Sequence, residues 1–167
     1  MQITLEHLLE SRDNRRRYQK ELLDKYNNLT LICLTVIMPG SVKRNRFSLT
    51  VAKAAIKELN NKFSHHIIFS QEKDLPTGYE YYIITDTRHN EAKKICCDIE
   101  ETHQLGRLFD IDVIDTNGEP LSRESIGYKK RRCLLCENEA RFCMRNHTHS
   151  QEEIQNYITE LIDSYTE

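Results

Sequence analysis

Two aspartates at alternate positions, Asp110 and Asp112, are the residues whose type and spacing most directly suggest chemistry. In the run GRLFDIDV, residues 106–113, a side-chain period of two puts both carboxylates on one face of a strand and the apolar side chains on the other. Two carboxylates about 6 to 7 Å apart repel each other unless a cation lies beside them. Mg²⁺ prefers oxygen ligands and is held by one or two carboxylates together with substrate phosphates, which suits phosphoryl or nucleotidyl transfer. The alternative is that the two aspartates only form the solvated face of a sheet.

Cysteines and histidines near the carboxyl terminus could ligate a second metal. Cys133 and Cys136 form a Cys-x-x-Cys pair, and Cys143, His147 and His149 follow. Thiolate sulfur and imidazole nitrogen are the ligands of tetrahedral zinc sites. The third and fourth ligands lie closer in sequence than in common zinc modules, and either histidine could be the fourth. The alternative is a set of reduced thiols packed under a loop.

Basic residues concentrate in two places, one around Arg12 and the other at residues 129–132 near Arg123. Guanidinium groups match phosphate oxygens in bidentate geometry, so either group could bind a polyphosphate or an acidic protein. The turn at Gly40, with Lys43 after it, could expose backbone N–H groups to an anion. Solvated helix faces and an ordinary turn are the alternatives.

Composition and charge limit the function classes. The chain has 167 residues, of which 38% are hydrophobic and 30% charged, as in a folded globular protein of about one domain. A formal net charge of -2 provides no overall attraction to nucleic acid. No apolar run approaches the ~20 residues of a membrane helix, and the amino terminus lacks a secretory pattern. We therefore expect a cytoplasmic protein that binds neither nucleic acid nor membrane.

The elements that must position these residues alternate between strands and helices. A continuous apolar run over residues 31–38 predicts a buried central strand, followed by a helical period. Two extended stretches, 66–70 and 79–85, flank a Pro-Thr-Gly turn and should pair as neighbours. A second helix follows, with Thr87 as its predicted N-cap.

The flanking segments add further elements. Apolar residues at helical spacing near the amino terminus, interrupted by the polar interval 11–17, predict two short helices or one bent helix. After the strand at 108–115, the pair Asn117-Gly118 predicts a hairpin. Its return strand, 119–122, contains a proline and should lie at an edge of the sheet.

The order of the predicted elements, β-α-β-β-α-β with a hairpin after the Asp-x-Asp strand, indicates an α+β fold. It predicts a two-layer sandwich with extra amino- and carboxy-terminal helices. Ser150 and Glu153 form a capping box ahead of the final helix. We predict one domain over residues 1–167, with an α+β main body at 1–122 and a segment at 123–167 that contains the Cys/His residues and the last helix.

An ordered set of short motifs resembles one known family. The pieces are GRLFDIDV at 106–113, LSR at 121–123, RCLLC at 132–136, Cys143, and His149-Ser150. Two earlier pieces extend the similarity over almost the whole chain: SRD at 11–13 and Pro39-Gly40-x-x-Lys43. This set is similar to the apo-citrate lyase phosphoribosyl-dephospho-CoA transferases, also called holo-citrate lyase acyl carrier protein synthases.

The resemblance implies a transferase that attaches 2'-(5''-triphosphoribosyl)-3'-dephospho-CoA to a serine of the citrate lyase acyl carrier protein and releases pyrophosphate. Attack of that serine on the α-phosphorus is nucleotidyl-transfer chemistry, and Asp110 and Asp112 would hold the Mg²⁺ that it needs. The resemblance favours Arg107 as a further catalytic residue, and it implies substrate contacts by Arg12, Gly40, Lys43, Arg123 and Arg132. It leaves open whether Cys133, Cys136, Cys143 and His149 bind zinc.

A different class of function remains an alternative. The basic run 129–132 lies beside Cys133, as in a zinc-stapled module that binds nucleic acid or an acidic protein without catalysis. Binding to nucleic acid that weakens steeply with salt would support this alternative. Release of pyrophosphate would support the transferase.

Overall fold

The computed structural model describes residues 2–165. The helices are α1 (Leu5–Lys25), α2 (Arg46–Lys62), α3 (His89–Thr102), α4 (Ala140–Asn146) and α5 (Gln151–Asp163). The strands are β1 (Thr30–Val36), β2 (Ile67–Leu75), β3 (Gly78–Thr85) and β4 (Phe109–Ile114). Mixed helix and strand confirm the predicted α+β class.

The four strands form one antiparallel sheet in the order β2-β3-β1-β4. The apolar strand β1 therefore lies in the interior, whereas β4, which carries the two aspartates, lies at an edge. The register places Cys33 of β1 between Tyr82 of β3 and Asp112 of β4, and the next same-face position of β1 lies between Glu80 and Asp110.

The two faces of the sheet are covered differently. Helices α2, α3 and α5 cover one face and enclose the larger core, to which β4 contributes Phe109, Ile111 and Val113. Helix α1 covers the other face, where Leu22 packs against Tyr82 and its neighbours. Because side chains alternate along β4, Asp110 and Asp112 belong to the face covered by α1, which we call the α1 face.

The sequence left open two short helices or one bent helix, and the structure has a single helix, α1, which is continuous over 21 residues. The interval 11–17 is polar but contains neither glycine nor proline, and arginine is a good helix former. The helix therefore continues through this interval, which excludes the alternative of two short helices and keeps that of a single helix.

Two local predictions are wrong, and one helix was not predicted. Thr87 does not cap α3, which begins at His89 after an N-cap residue that makes no side-chain capping bond. The predicted return strand at 119–122 is reduced to a single bridge between Ile114 and Pro120, since proline lacks the N–H needed to continue the ladder. The short helix α4 gave no clear periodic signal in the sequence.

The final helix begins as predicted. In its capping box, the backbone N–H of Glu153 donates to Ser150 Oγ at 3.1 Å, and that of Ser150 donates to Glu153 Oε2 at 2.7 Å. Ile158 and Ile162 of α5 then enter the larger core. None of the described helices combines the length and apolar character that crossing a bilayer requires.

Candidate active site

Asp110 and Asp112, the carboxylate pair, are both exposed on the α1 face of edge strand β4. The Thr35 hydroxyl of β1 donates to Asp110 Oδ2 at 3.2 Å and orients that carboxylate. Cys33 lies beside Asp112 in the register, and burial raises the pKa of its thiol to about 12. The thiol is therefore neutral at physiological pH and adds no charge beside the carboxylate pair.

The two carboxylates differ in their electrostatic surroundings. Desolvation by the protein atoms around Asp112 raises the pKa of its carboxyl group, and the charge of Asp110 raises it further. The ammonium of Lys93 opposes this shift. A carboxylate that loses hydration and faces a like charge is stabilised by a nearby cation.

The packing surface of α1 explains why the carboxylate pair stays accessible. Its carboxy-terminal half packs apolar residues such as Leu22 on the sheet, whereas its amino-terminal half makes polar contacts. Arg15 Nε donates to Glu80 Oε1 at 3.1 Å, and the hydroxyl groups of Ser11 and Thr77 are 2.9 Å apart. The contacts between α1 and the sheet therefore change from apolar to polar at the row of the sheet that contains Glu80, Thr35 and Asp110.

The outer edge of β4 is held by side chains rather than by another strand. Glu100 of α3 is buried, and its Oε1 accepts from the backbone N–H of Ile111 at 2.9 Å and forms a salt bridge with Arg131 Nη2 at 2.9 Å. Lys93 Nζ donates to the carbonyl of Ile111 at 3.3 Å, and Arg131 also donates to the carbonyl of Phe109. These contacts satisfy the free edge of the strand and fix the position of the carboxylate pair.

A groove of about 460 Å³ runs beside this edge, and we call it the β4-edge groove. Six cationic and two acidic side chains line it: Arg107, Arg123, Lys129, Lys130, Arg131 and Arg132, with Glu100 and Glu101. Some of this charge is paired internally, because Arg123 Nη2 lies 3.0 Å from Glu101 Oε1. The remaining excess of positive charge suits an anionic ligand.

Arg107 has a contact that the sequence did not reveal. Its Nη2 donates to the carbonyl oxygens of Arg132 and Cys133, the latter at 2.7 Å. The guanidinium therefore joins the short 3-10 turn before β4, residues 106–108, to the segment that carries the cysteines.

The other predicted substrate-contacting residues lie on neighbouring elements. Arg12 is exposed on α1, and Gly40 has a left-handed φ of 82° in the loop after β1. Lys43 Nζ donates to the carbonyl of Met38 at 2.6 Å in that loop, and desolvation lowers the pKa of the amine. The loop joins the amino-terminal region through the N–H of Ile3, which donates to the carbonyl of Ser41 at 2.7 Å.

The Cys/His cluster consists of Cys133, Cys136, Cys143 and His149, whose ligand atoms all lie within 4.8 Å of one another. Cys136 Sγ is 3.5 Å from Cys143 Sγ and 3.3 Å from His149 Nε2. Although desolvation opposes it, backbone N–H groups that contact the sulfur lower the pKa of Cys133. This arrangement is compatible with zinc.

Local backbone structure brings these four ligands together. A bridge between Arg132 and Glu139 closes the loop that holds Cys133 and Cys136, and α4 then presents Cys143. His147 ends α4 in a left-handed conformation with φ of 48° and reverses the chain. His149 therefore reaches the cysteines, which decides between the two histidines that the sequence left open.

Sequence reasoning missed the contact between Arg15 and Glu80 and the role of Thr35 in orienting Asp110. Arg15 belongs to the basic group around Arg12, and its residue type alone does not distinguish it from the neighbouring arginines. The contact of α1 with β3 involves residues 65 positions apart, so no local pattern identifies Glu80 as the partner of Arg15. A usable signal was the spacing of Ser11, Arg15, Tyr18 and Leu22, which places these polar and apolar residues on one helix face.

Together these features define an α+β protein with an accessible carboxylate pair at a sheet edge, a cationic groove beside that edge, and a cluster of three cysteines and one histidine that is compatible with zinc. A family model described as apo-citrate lyase phosphoribosyl-dephospho-CoA transferase matches residues 3–165. The chain belongs to this family, which confirms the resemblance seen in the motifs.

Curated relatives agree with this assignment. The chain is 38% identical over 170 residues to a probable apo-citrate lyase phosphoribosyl-dephospho-CoA transferase of Vibrio cholerae serotype O1 (strain M66-2), covering 99% of this chain and 95% of that protein. A protein of the same name from Streptococcus pyogenes serotype M18 is 35% identical, with 98% and 87% covered. Protein CitXG of Haemophilus influenzae is 32% identical over 98% of this chain and 36% of its own length. The names confirm that the chain is an enzyme of the transferase class.

Proposed function

We propose that this protein transfers the 2'-(5''-triphosphoribosyl)-3'-dephospho-CoA group to a serine of the citrate lyase acyl carrier protein and releases pyrophosphate. The observation that carries the proposal is the exposed carboxylate pair on β4, in a chain that belongs to this transferase family. The alternative of a zinc-stapled binding module without catalysis is not favoured, because the named relatives are transferases.

The proposed reaction is a nucleotidyl transfer. The serine oxygen of the carrier bonds to the α-phosphorus, and the bond from that phosphorus to the oxygen that bridges to the β-phosphorus breaks. Pyrophosphate leaves with the electron pair of that bond, and the serine proton passes to water. The chain must therefore hold a triphosphate, orient its α-phosphorus and tolerate charge on the leaving group.

Asp110 and Asp112 fit a divalent metal because both are accessible, and because desolvation and the charge of Asp110 disfavour the charged form of Asp112, which a cation would stabilise. We propose that they hold Mg²⁺, which when bound neutralises charge on the phosphates. The Thr35 hydroxyl orients Asp110, and the contacts of Glu100 and Lys93 with Ile111 keep β4 in place. These residues fix the carboxylates before the substrate arrives.

We assign the rest of the substrate to the cationic surfaces. The proposed contacts with substrate are Arg123 and Arg132 in the β4-edge groove, together with Arg12 on α1 and with Gly40 and Lys43 in the loop after β1. In this proposal Arg107, which lies between the groove and β4, contacts the triphosphate as a catalytic residue. Guanidinium groups suit this role because they bind phosphate oxygens in bidentate geometry.

We propose that the Cys/His cluster binds a structural zinc ion. Ligands 2.3 Å from a tetrahedral zinc are separated by about 3.8 Å, close to the 3.5 Å between Cys136 Sγ and Cys143 Sγ. All four positions of a tetrahedron would be filled by protein, as in structural sites. Free cysteines fit the reducing conditions of the cytoplasm, where we propose that the protein acts.

The test is modification of apo-carrier protein, measured by mass spectrometry. Wild-type protein with precursor and Mg²⁺ should add the prosthetic group to the carrier and release one pyrophosphate, and chelation of Mg²⁺ should stop the reaction. Asp110→Asn should reduce the rate by at least about 100-fold, as expected when a group that stabilises transition-state charge is removed. Glu72→Gln, an exposed strand carboxylate at the opposite edge of the sheet, is the matched control. Full-rate conversion by Asp110→Asn would refute the metal role, and no conversion by wild type would refute the function.

A further inference from the structure

Arg15 is held in an unusual way for a residue on an otherwise exposed stretch of α1. Its guanidinium donates through Nε to Glu80 Oε1 at 3.1 Å, and its side chain is 27% exposed. Glu80 is only 6% exposed and also accepts a hydrogen bond from the hydroxyl of Tyr82. A buried carboxylate on β3 thus fixes one edge of the guanidinium and leaves the other edge open.

The open edge of Arg15 is available for a ligand. Among residues 2–165, Glu80 is the only hydrogen-bond partner of this guanidinium, so both terminal nitrogens are free. By contrast, Arg107 and Arg131 each bind backbone carbonyl groups. Two parallel N–H groups on a fixed guanidinium are the donors that a phosphate oxygen pair accepts.

The position of Arg15 relies on helix α1 and on the sheet register. One turn before Arg15, Ser11 contacts Thr77 in the turn between β2 and β3, which anchors the helix at this end of the sheet. The register places Glu80 across β1 from Asp110 on the same face. Arg15 therefore lies over the face that carries the carboxylate pair, and its positive charge acts on Asp112.

We infer that Arg15 binds the β- and γ-phosphate oxygens of the triphosphate, the part that leaves as pyrophosphate, and that Glu80 positions its guanidinium. This inference rests on the proposed function. A metal ion at the carboxylate pair and the guanidinium of Arg15, which is held by Glu80 across β1 from Asp110, would bind the triphosphate between them. Glu80 would then be a positioning residue rather than a metal ligand, because its two oxygens are already used by Arg15 and Tyr82.

The inference predicts a loss of phosphate binding rather than a loss of fold. Arg15→Gln should weaken binding of inorganic tripolyphosphate in the presence of Mg²⁺ by about 10- to 100-fold, the range for a charge-assisted contact. It should raise the KM for the precursor by a similar factor. Arg16→Gln, which changes an exposed arginine at the next position of the same helix, should leave both values unchanged. Isothermal titration calorimetry and steady-state kinetics measure the two quantities.

A double variant separates phosphate binding from a merely structural ion pair. Arg15→Gln leaves the buried charge of Glu80 without its partner, and thermal unfolding should show the cost. Adding Glu80→Gln removes that charge and should restore the melting temperature. If Arg15 only balances Glu80, tripolyphosphate binding returns as well, and the inference is overturned. If Arg15 binds phosphate, stability returns and binding does not.

The outcome also distinguishes this inference from the proposed function. If wild type modifies the carrier and Arg15→Gln matches it in KM and tripolyphosphate affinity, the inference fails and the function stands. If wild type modifies no carrier, the function fails, and an equal tripolyphosphate affinity in Arg15→Gln would show that the phosphate site fails as well.

Discussion

Replacing Asp112 by asparagine should make the metal-free protein more stable while abolishing its activity. The folded structure desolvates this carboxylate and sets it beside Asp110, and both effects penalise its charged form. Asparagine keeps the shape of the side chain and removes the charge. A gain in stability together with a loss of activity is expected where a site is strained for function.

The size of the gain follows from the strand geometry. Positions i and i+2 on a strand are about 6.6 Å apart, and two unit charges at that distance repel by about 0.6 kcal/mol in water and about 2.5 kcal/mol at an effective dielectric constant of 20. Because Asp110 is exposed, a value of about 1 kcal/mol is reasonable, and loss of the attraction to Lys93 offsets part of it. For a chain of this size, 1 kcal/mol raises the melting temperature by about 2 to 4 °C.

The pH dependence provides a second check. The folded protein holds the proton of Asp112 more tightly than the unfolded chain does, because its pKa is raised from the ordinary value of 3.8. Wild-type stability is therefore lost as pH rises from 3.8 through the raised pKa. The advantage of Asp112→Asn should be full above that pKa and should shrink as pH falls towards 3.8.

Thermal unfolding with chelator, and with Mg²⁺ plus tripolyphosphate, measures these effects. A ligand at ten times its Kd stabilises wild type by about 1.4 kcal/mol, and Asp112→Asn should lose that increment. Glu72→Gln should match wild type under both conditions. A variant Asp112→Asn that is no more stable than wild type with chelator at neutral pH, or that gains as much stability as wild type from the added ligand, would contradict this prediction.

Three further changes test the surroundings of the site. Gly106→Ala should destabilise the fold by about 1 to 3 kcal/mol in denaturant unfolding, because its Cβ would lie 2.5 Å from the carbonyl oxygen of Glu100. Glu100→Ala should cost about 3 to 5 kcal/mol, because it leaves Arg131 without its buried partner; a loss below 1 kcal/mol would contradict this. Cys136→Ser should lower zinc content, measured by elemental analysis, and stability together, whereas Cys97→Ser should keep the metal; unchanged zinc would exclude the site.

Much of the local structure of β4 and α5 was predictable because it depends on residues close together in sequence. The alternation in residues 109–113 puts the carboxylates on one face whatever the strand pairs with. The capping box at Ser150 involves a contact only three residues long. The two local failures lie at the ends of elements: α3 begins at His89 with Arg88 rather than Thr87 at its N-cap, and Pro120 lacks the N–H that would continue the predicted return strand.

Local sequence patterns were enough to predict the class of fold, the family, the alternation that exposes Asp110 and Asp112, and the cysteines available to a metal. Three contacts are visible only in the folded chain: Arg15 meets Glu80, His149 rather than His147 joins the cysteines, and Arg107 binds the cysteine-bearing segment. The two groups differ in the sequence distance over which each feature is determined. Side-chain periodicity and caps are fixed within a few residues, whereas a contact across 65 residues depends on which face of the sheet a helix covers.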